Sequence, residues 1–267
     1  MFKHYLDAFD AGQISPCRRQ KVAGIVVPTL VRALEEVGLA PMISHDLGCV
    51  AEIQSENADR MRLFQPFNPA LQIGHGAKDT VVLSLQRDNQ QVACAATRLL
   101  WIGESLALDM QSLRLFYADV RGMSRPGETC IVTAPSAKKI GDCHVGLTGA
   151  VFVHRGESPV VVRAMMRLLH LWVFAHWKWS WLMGIAERPV VRSYAYDIYG
   201  YPSAELGVWR EGREYMLLVA PRRYYEERVD DPSFHDLAIP LGQPTQSAKV
   251  NAQQIAESAR AGEERAA

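Results

Sequence analysis

Charge of either sign is not in excess: Lys+Arg and Asp+Glu number 29 each over 267 residues. With no net field, nothing global draws the chain to nucleic acid or an anionic membrane, so a small molecule or a protein is the expected partner. Cysteine is sparse and unpatterned. Cys17, Cys49, Cys94, Cys130 and Cys143 show no CxxC or Cys/His spacing, which argues against zinc and a disulfide framework and for reduced thiols in the cytoplasm. Long apolar runs are missing as well. The most apolar stretch, Val160 to Ile185, carries Arg163, Arg167, His170, His176 and Lys178, more charge than a bilayer span of about 20 residues accepts. The N-terminus, MFKHYLDAFDAG, lacks the apolar core of a signal peptide. Gly-x-Ser-x-Gly, Walker and dinucleotide fingerprints do not occur. What remains is a globular chain, 48% hydrophobic and long enough to bury a substantial core.

The pattern that is present reads as mixed α/β. Val22, Ile25, Val26, Leu30, Leu34 and Val37 repeat at helical spacing, so a helix is expected from Arg18 to Gly38 with a break at Pro28. A second helix is expected from about Val50 to Phe64. Thr80–Gln86 and Gln91–Arg98 form a β-hairpin about the turn Arg87–Gln90. Ser105 to Tyr117 returns to helical spacing, and Thr129–Thr133 reads as a short strand. The strand Val145–His154 leads through the loop Arg155–Pro159 to a helix from Val160 to about Trp177 and a strand from Trp179 to Ala186. A short helix from Val190 to Tyr199 and two strands, Glu205–Arg210 and Tyr215–Pro221, close the core. Residues 1–78 are thus expected as an N-terminal helical part of one domain, 79–228 as its core and 229–267 as a polar tail.

This order of hairpin, long apolar strand, tight loop, apolar helix, strand, tyrosine-bearing helix and final hairpin resembles the GNAT (N-acetyltransferase-like) acyltransferases over residues 79–221. Its most telling parts are Leu147–Arg163 and Ser193–Tyr201. The resemblance implies a mixed, mostly antiparallel twisted sheet flanked by helices, with the N-terminal helical part as an extension. It implies a central strand that parts from its neighbour to admit the pantetheine arm of acetyl-CoA or another acyl-CoA, or of an acyl carrier protein thioester. Phe152 and Val153 would flank that slot, and Arg155, Gly156, Glu157 and Ser158 would present backbone N–H groups to the donor's phosphates at a helix N-terminus. The family loop usually reads Arg/Gln-x-x-Gly-x-Gly/Ala. Here it is Arg155-Gly156-Glu157-Ser158-Pro159, shorter, with Ser for the second Gly and an acid facing the anion. Tyr196, four residues before Gly200-Tyr201, matches the family's general acid, which protonates the departing thiolate.

His144 shares a face with Thr148 and His154 by the two-residue period. It is a candidate base for the acceptor amine, with Glu128, Asp142, Glu104 and an ordered water chain as rivals. His170 and His176, six apart on one helix, make no metal pair. The expected activity is acyl transfer to a small-molecule amine. A catalytically silent GNAT-like binding module is the alternative. A lactone-signal synthase would share the fold, but that family's N-terminal charged and aromatic motif is not found.

Overall fold

A computed structural model describes residues 3–10, 12, 14–58, 64–71, 77–187, 199–231 and 234. Its strands are β1 (Lys3–His4), β2 (Ala40–Ser44), β3 (Thr80–Arg87), β4 (Gln90–Ile102), β5 (Cys130–Val132), β6 (Cys143–Val153), β7 (Trp181–Glu187), β8 (Ser203–Arg210) and β9 (Arg213–Pro221). They form one open sheet in the order β1-β2-β3-β4-β6-β7-β9-β8-β5. Only β6 and β7 run parallel, joined by a long crossover helix. The helices are α1 (Tyr5–Ala8), α2 (Pro16–Lys21), α3 (Val27–Glu35), α4 (Gly48–Glu56), α5 (Leu106–Gln111), α6 (Val120–Met123), α7 (Pro135–Lys139), α8 (Pro159–His176) and α9 (Arg222–Arg228).

Local chemistry explains most of these boundaries. The β3–β4 turn holds Asp88 and Asn89 at φ 52° and 63°, the doubly positive form whose twist suits a two-residue hairpin. Ahead of Pro28 the chain widens into a π-wound turn, Val22–Val26, before α3 begins. That winding accommodates the missing N–H and the bulk of the ring, and Gly38 at φ 75° ends the run. The Ser105 side chain accepts from Leu108 N at 3.2 Å and starts α5, a cap in the usual sense. Leu113, at φ 62°, stops it short of the expected Tyr117.

Two strands fall in the segment expected to be helical. β2 pairs with β3 from Ala40↔Gln86 to Ser44↔Val82, and β1 pairs with β2. Pro41 disguises β2, since proline reads as a strand breaker except near a sheet edge. Of the tail, residues 229–231 and 234 are described; the expected helix 190–199 lies, but for Tyr199, outside the described residues.

The sheet separates two apolar layers. On one face α8 buries Ala164, Met165, Leu168, Leu169, Leu171 and Val173, packing on β3 and β4, with α3 beside it on β2. On the other face Val50 and Ile53 of α4, Phe67, and Leu106 and Met110 of α5 cover Val82, Ala96, Val145 and Leu147.

Gly146 marks a close approach of β6 to the α8 side: a Cβ there would lie 2.6 Å from Leu182 Cδ1 and 3.5 Å from Val173 Cγ1. Gly146→Val should therefore lower stability by about 1–3 kcal/mol through overpacking. Urea denaturation checks this, and adding Leu182→Ala should recover part of the loss if the clash is the cause.

Candidate functional site

The site begins where the two parallel strands separate. β6 and β7 pair over four residues only, from Val145↔Trp181 to Thr148↔Gly184. Beyond them, among the described residues, β6 continues to Val153 paired with β4 and β7 continues to Glu187 paired with β9. A bulge lies at the point of separation. Ala96 opposes Gly149 and Cys94 opposes Phe152, so Ala150 and Val151 together face Ala95, with Ala150 at φ 51°. An extra residue bends the strand that carries it. Small residues make the bend possible, because a Cβ at Gly149 would lie 2.5 Å from the Phe67 ring.

The bulge also reverses the pleat. Gly146 and Thr148 face α8 before it, and Val151 and Val153 pack on that side after it. His154 falls instead with Phe152 on the opposite side, their rings 5.7 Å apart edge to face. The shared face expected of His144, Thr148 and His154 is thus broken by one inserted residue.

Past Val153 the chain turns into α8. The Glu157 amide donates to His154 O at 3.3 Å, and Gly156 takes φ 96°, with open space where its side chain would be. Ser158 Oγ accepts from the Val160 amide at 3.2 Å, and Pro159 occupies the first helical turn, where a missing N–H costs little. The amides of Gly156 and Ser158 make no hydrogen bond among the described residues. Glu157 turns away from them. Both its oxygens accept from Arg87 at the end of β3, at 2.6 and 3.1 Å. The acid expected to repel an anion is thereby neutralised by a two-pronged pair, and that hydrogen bond raises the Arg87 pKa.

Tyr201, after Gly200 at φ 84°, aims its phenol into the fork between β6 and β7. Its oxygen lies 3.3 Å from the position of a Cβ on Gly184, the last residue of β7 paired with β6. That hydroxyl is buried, with the Thr148 hydroxyl as its polar neighbour. Burial pushes the phenol well above its ordinary value, and the neighbouring Thr148 hydroxyl opposes the shift.

A line of polar groups runs beside it under the sheet. Tyr225 OH donates to Gly200 O at 2.9 Å and lies 2.8 Å from His170 Nδ1. A phenol has one proton to give, so Nδ1 must carry the proton of the imidazole and Nε2 must accept. Thr148 Oγ1 lies 3.5 Å from Nε2, and Thr97 Oγ1 2.9 Å from Thr148. Burial lowers the His170 pKa to about 3, so the ring stays neutral.

Phe152, Val153, Arg155, Gly156, Glu157 and Ser158 are thus all brought to the separation, while Tyr196 and Tyr194 lie outside the described residues. His144 is placed elsewhere. It is exposed near the start of β6, five residues before Gly149 and so about 17 Å away along the strand. Its ring meets Trp101 edge-on at 4.9 Å, and both line a cavity of about 600 Å³ with Asp109 and Arg114. Glu128 is engaged by Arg210, whose Nε donates at 2.9 Å, and by Tyr117. Burial would raise its pKa, but hydrogen bonds from Arg210, the Arg125 amide and Tyr117 hold it low. Asp142 donates its amide to Gly103 O at 2.6 Å, beside Glu104 and away from the fork. Among the described residues no cluster of metal-ligating side chains occurs, and no helix is long and apolar enough to cross a membrane.

No sequence pattern groups Tyr201, Thr148 and His170; the one signal is Gly200, a break that frees Tyr201 from the spacing of the residues before it.

No protein-family model and no curated protein matches the chain. Among solved structures, FeeM, an N-acyl amino acid synthase from uncultured soil microbes, aligns with 10% identity and a TM-score of 0.34, over 80% of this chain and 90% of that one. A CoA-dependent acyl-homoserine lactone synthase, BjaI, with SAM and isopentyl-CoA, aligns with 12% identity and a TM-score of 0.34, over 92% and 97%. Overlap this slight carries no argument about chemistry. The assignment of a mixed α/β fold, with an open, mostly antiparallel sheet flanked by helices, rests on strand order and register.

The buried histidine sets an acid limit on the fold. Its folded pKa, about 3, lies below the ordinary 6.5, so below pH 6.5 the unfolded chain binds a proton that the folded one refuses. Stability from this group is full above pH 6.5 and falls as pH drops toward 3. Urea denaturation at pH 7 and pH 4 should show a smaller acid loss for His170→Gln than for the parent.

Proposed function

We propose that the chain is an acyltransferase, moving an acyl group from a thioester donor, acyl-CoA or an acyl carrier protein, to a small-molecule amine. The observation that supports this most is the separation of β6 from β7 at the Ala150 bulge. Among the described residues, it leaves β6 after Thr148 without the parallel partner it has before. An extended pantetheine arm carries amides that complete such an edge as a strand would. The same edge leads to the Gly156 and Ser158 amides and the start of α8, a favourable place for phosphate.

In this reading the acceptor nitrogen attacks the thioester carbon, the C–N bond forms and the C–S bond breaks. The sulfur leaves with the electron pair and takes a proton from a phenol, and the proton that the nitrogen sheds on acylation passes through solvent to restore that phenol. Tyr201 supplies that proton from the fork, its raised pKa keeping it a donor throughout the physiological range; Tyr196 is the competing phenol. Arg87 keeps Glu157 from opposing the donor's charge.

Calorimetry with acetyl-CoA and longer acyl-CoA thioesters tests the donor site. Binding should be measurable and should weaken in Gly156→Val, which strains a φ of 96°. No binding at millimolar concentration, for CoA or carrier-protein thioesters, would leave a silent binding module as the better account. For the chemistry, Tyr201→Phe should reduce kcat about 100- to 10,000-fold with thioester affinity unchanged. The same loss in Tyr196→Phe, with Tyr201→Phe near normal, would move the role to Tyr196.

A further inference from the structure

Two arginines are buried on the face of the sheet opposite α8, and they are treated differently. Arg210 is satisfied on every arm: Nε and Nη2 donate to Glu128, Nη1 to Gln65 at 2.7 Å, and Nη2 also to Tyr117 at 3.1 Å. The Phe116 ring lies under its guanidinium at 4.1 Å. Arg98, on β4, is 0% exposed. Its Nη1 donates to Pro66 O at 2.6 Å, but its Nε and Nη2 have no partner among the described residues. Asp79 is the carboxylate whose charge reaches it, yet the two form no ion pair within 4 Å. Burial lowers the Arg98 pKa to about 10, which leaves it a cation at any physiological pH.

An unpaired buried cation is among the costliest groups a core can hold. Such a cost persists where a ligand removes it. Position supports a ligand here. Arg98 pairs with Leu147, one residue before the last β6–β7 pair. The turn that receives its Nη1 also carries Phe67, which packs on Gly149 at the fork. Asp79 and Leu99, which flank Arg98 across and along the hairpin, line the 600 Å³ cavity, and Arg98 lies buried behind that lining. The empty atoms are adjacent on one edge of the guanidinium, the edge that matches the two oxygens of a carboxylate.

We propose that Arg98 is the receptor for a carboxylate on the acceptor, which makes that acceptor a carboxylate-bearing amine, of which amino acids are the plainest case. This rests on the acyltransferase reading only in naming the bound molecule as the acceptor.

The test titrates the full chain, with no thioester present, with each common amino acid as the free acid and as its carboxamide. At least one acid should bind about 10- to 100-fold more tightly than its amide, the range of a charge-assisted hydrogen-bonded pair. Arg98→Met should abolish that preference, and Arg98→Lys, which keeps the charge and loses the fork, should retain only part. Without ligand, Arg98→Met should melt at or above the parent temperature, because it relieves an unpaired charge. A parent that prefers no acid to its amide, or an Arg98→Met chain that keeps the preference, overturns the proposal. An Arg98→Met chain that melts well below the parent makes Arg98 a tether for the Pro66 turn and overturns it too. Thioester binding measured separately in both chains isolates the donor reading: its failure beside an intact acid preference removes the acyltransferase and leaves the receptor.

Discussion

One extra residue in the central strand governs the candidate site. Where β6 stays in register with β4 it also stays beside β7, and four residue pairs close the sheet. At Ala150 the strand gains a residue its partner lacks, bends, and leaves β7 to follow β9. A sheet interior seldom leaves a strand edge open, because unpaired amides and carbonyls are costly to bury. The bulge supplies the opening, and Gly149 lets Phe67 close over its far side. The pleat phase, the course of the loop into α8 and the reach of Tyr201 all follow from that bend.

Electrostatics around the opening follow a consistent division. Charges that hold structure are paired: Glu157 with Arg87 beside the loop, and Glu128 with Arg210 beneath β8. The polar line from Thr97 through Thr148 and His170 to Tyr225 is uncharged, each proton with an acceptor. Tyr201 OH, beside Thr148, and two unpartnered arms of Arg98 lie near the fork, one on each face of the sheet, while Ser84 Oγ, Gln91 Nε2, Trp172 Nε1 and Arg228 Nε are buried elsewhere without partners among the described residues.

The loop departs from the acyltransferase pattern in a way the structure rationalises. Ser158 in place of a second glycine caps α8 through its side chain, a role glycine performs less well. The acid that precedes it is drawn off by an arginine 70 residues earlier in the chain. Neither change engages the amides of Gly156 and Ser158, which make no hydrogen bond among the described residues.

Periodicity and turn chemistry alone determined a good deal of this protein. The hairpin at Asp88-Asn89, the strand–helix–strand run from Cys143 to Glu187 and the closing strands were legible because local pattern and final burial agree there. The loop Arg155–Pro159 into α8 was legible for the same reason, being contiguous in sequence. β2 was not, since Pro41 hides a strand that exists only because β3 offers it a partner. The bulge was not, because an extra residue is defined against the facing strand, and its consequence was to take His154 off the face of Thr148. Tertiary structure alone decided that His144 lies a strand's length from the fork, that Arg87 meets Glu157, and that Arg98 is buried with two arms empty. Each of these is a relation between residues distant in the chain, and a one-dimensional pattern carries no distances between them.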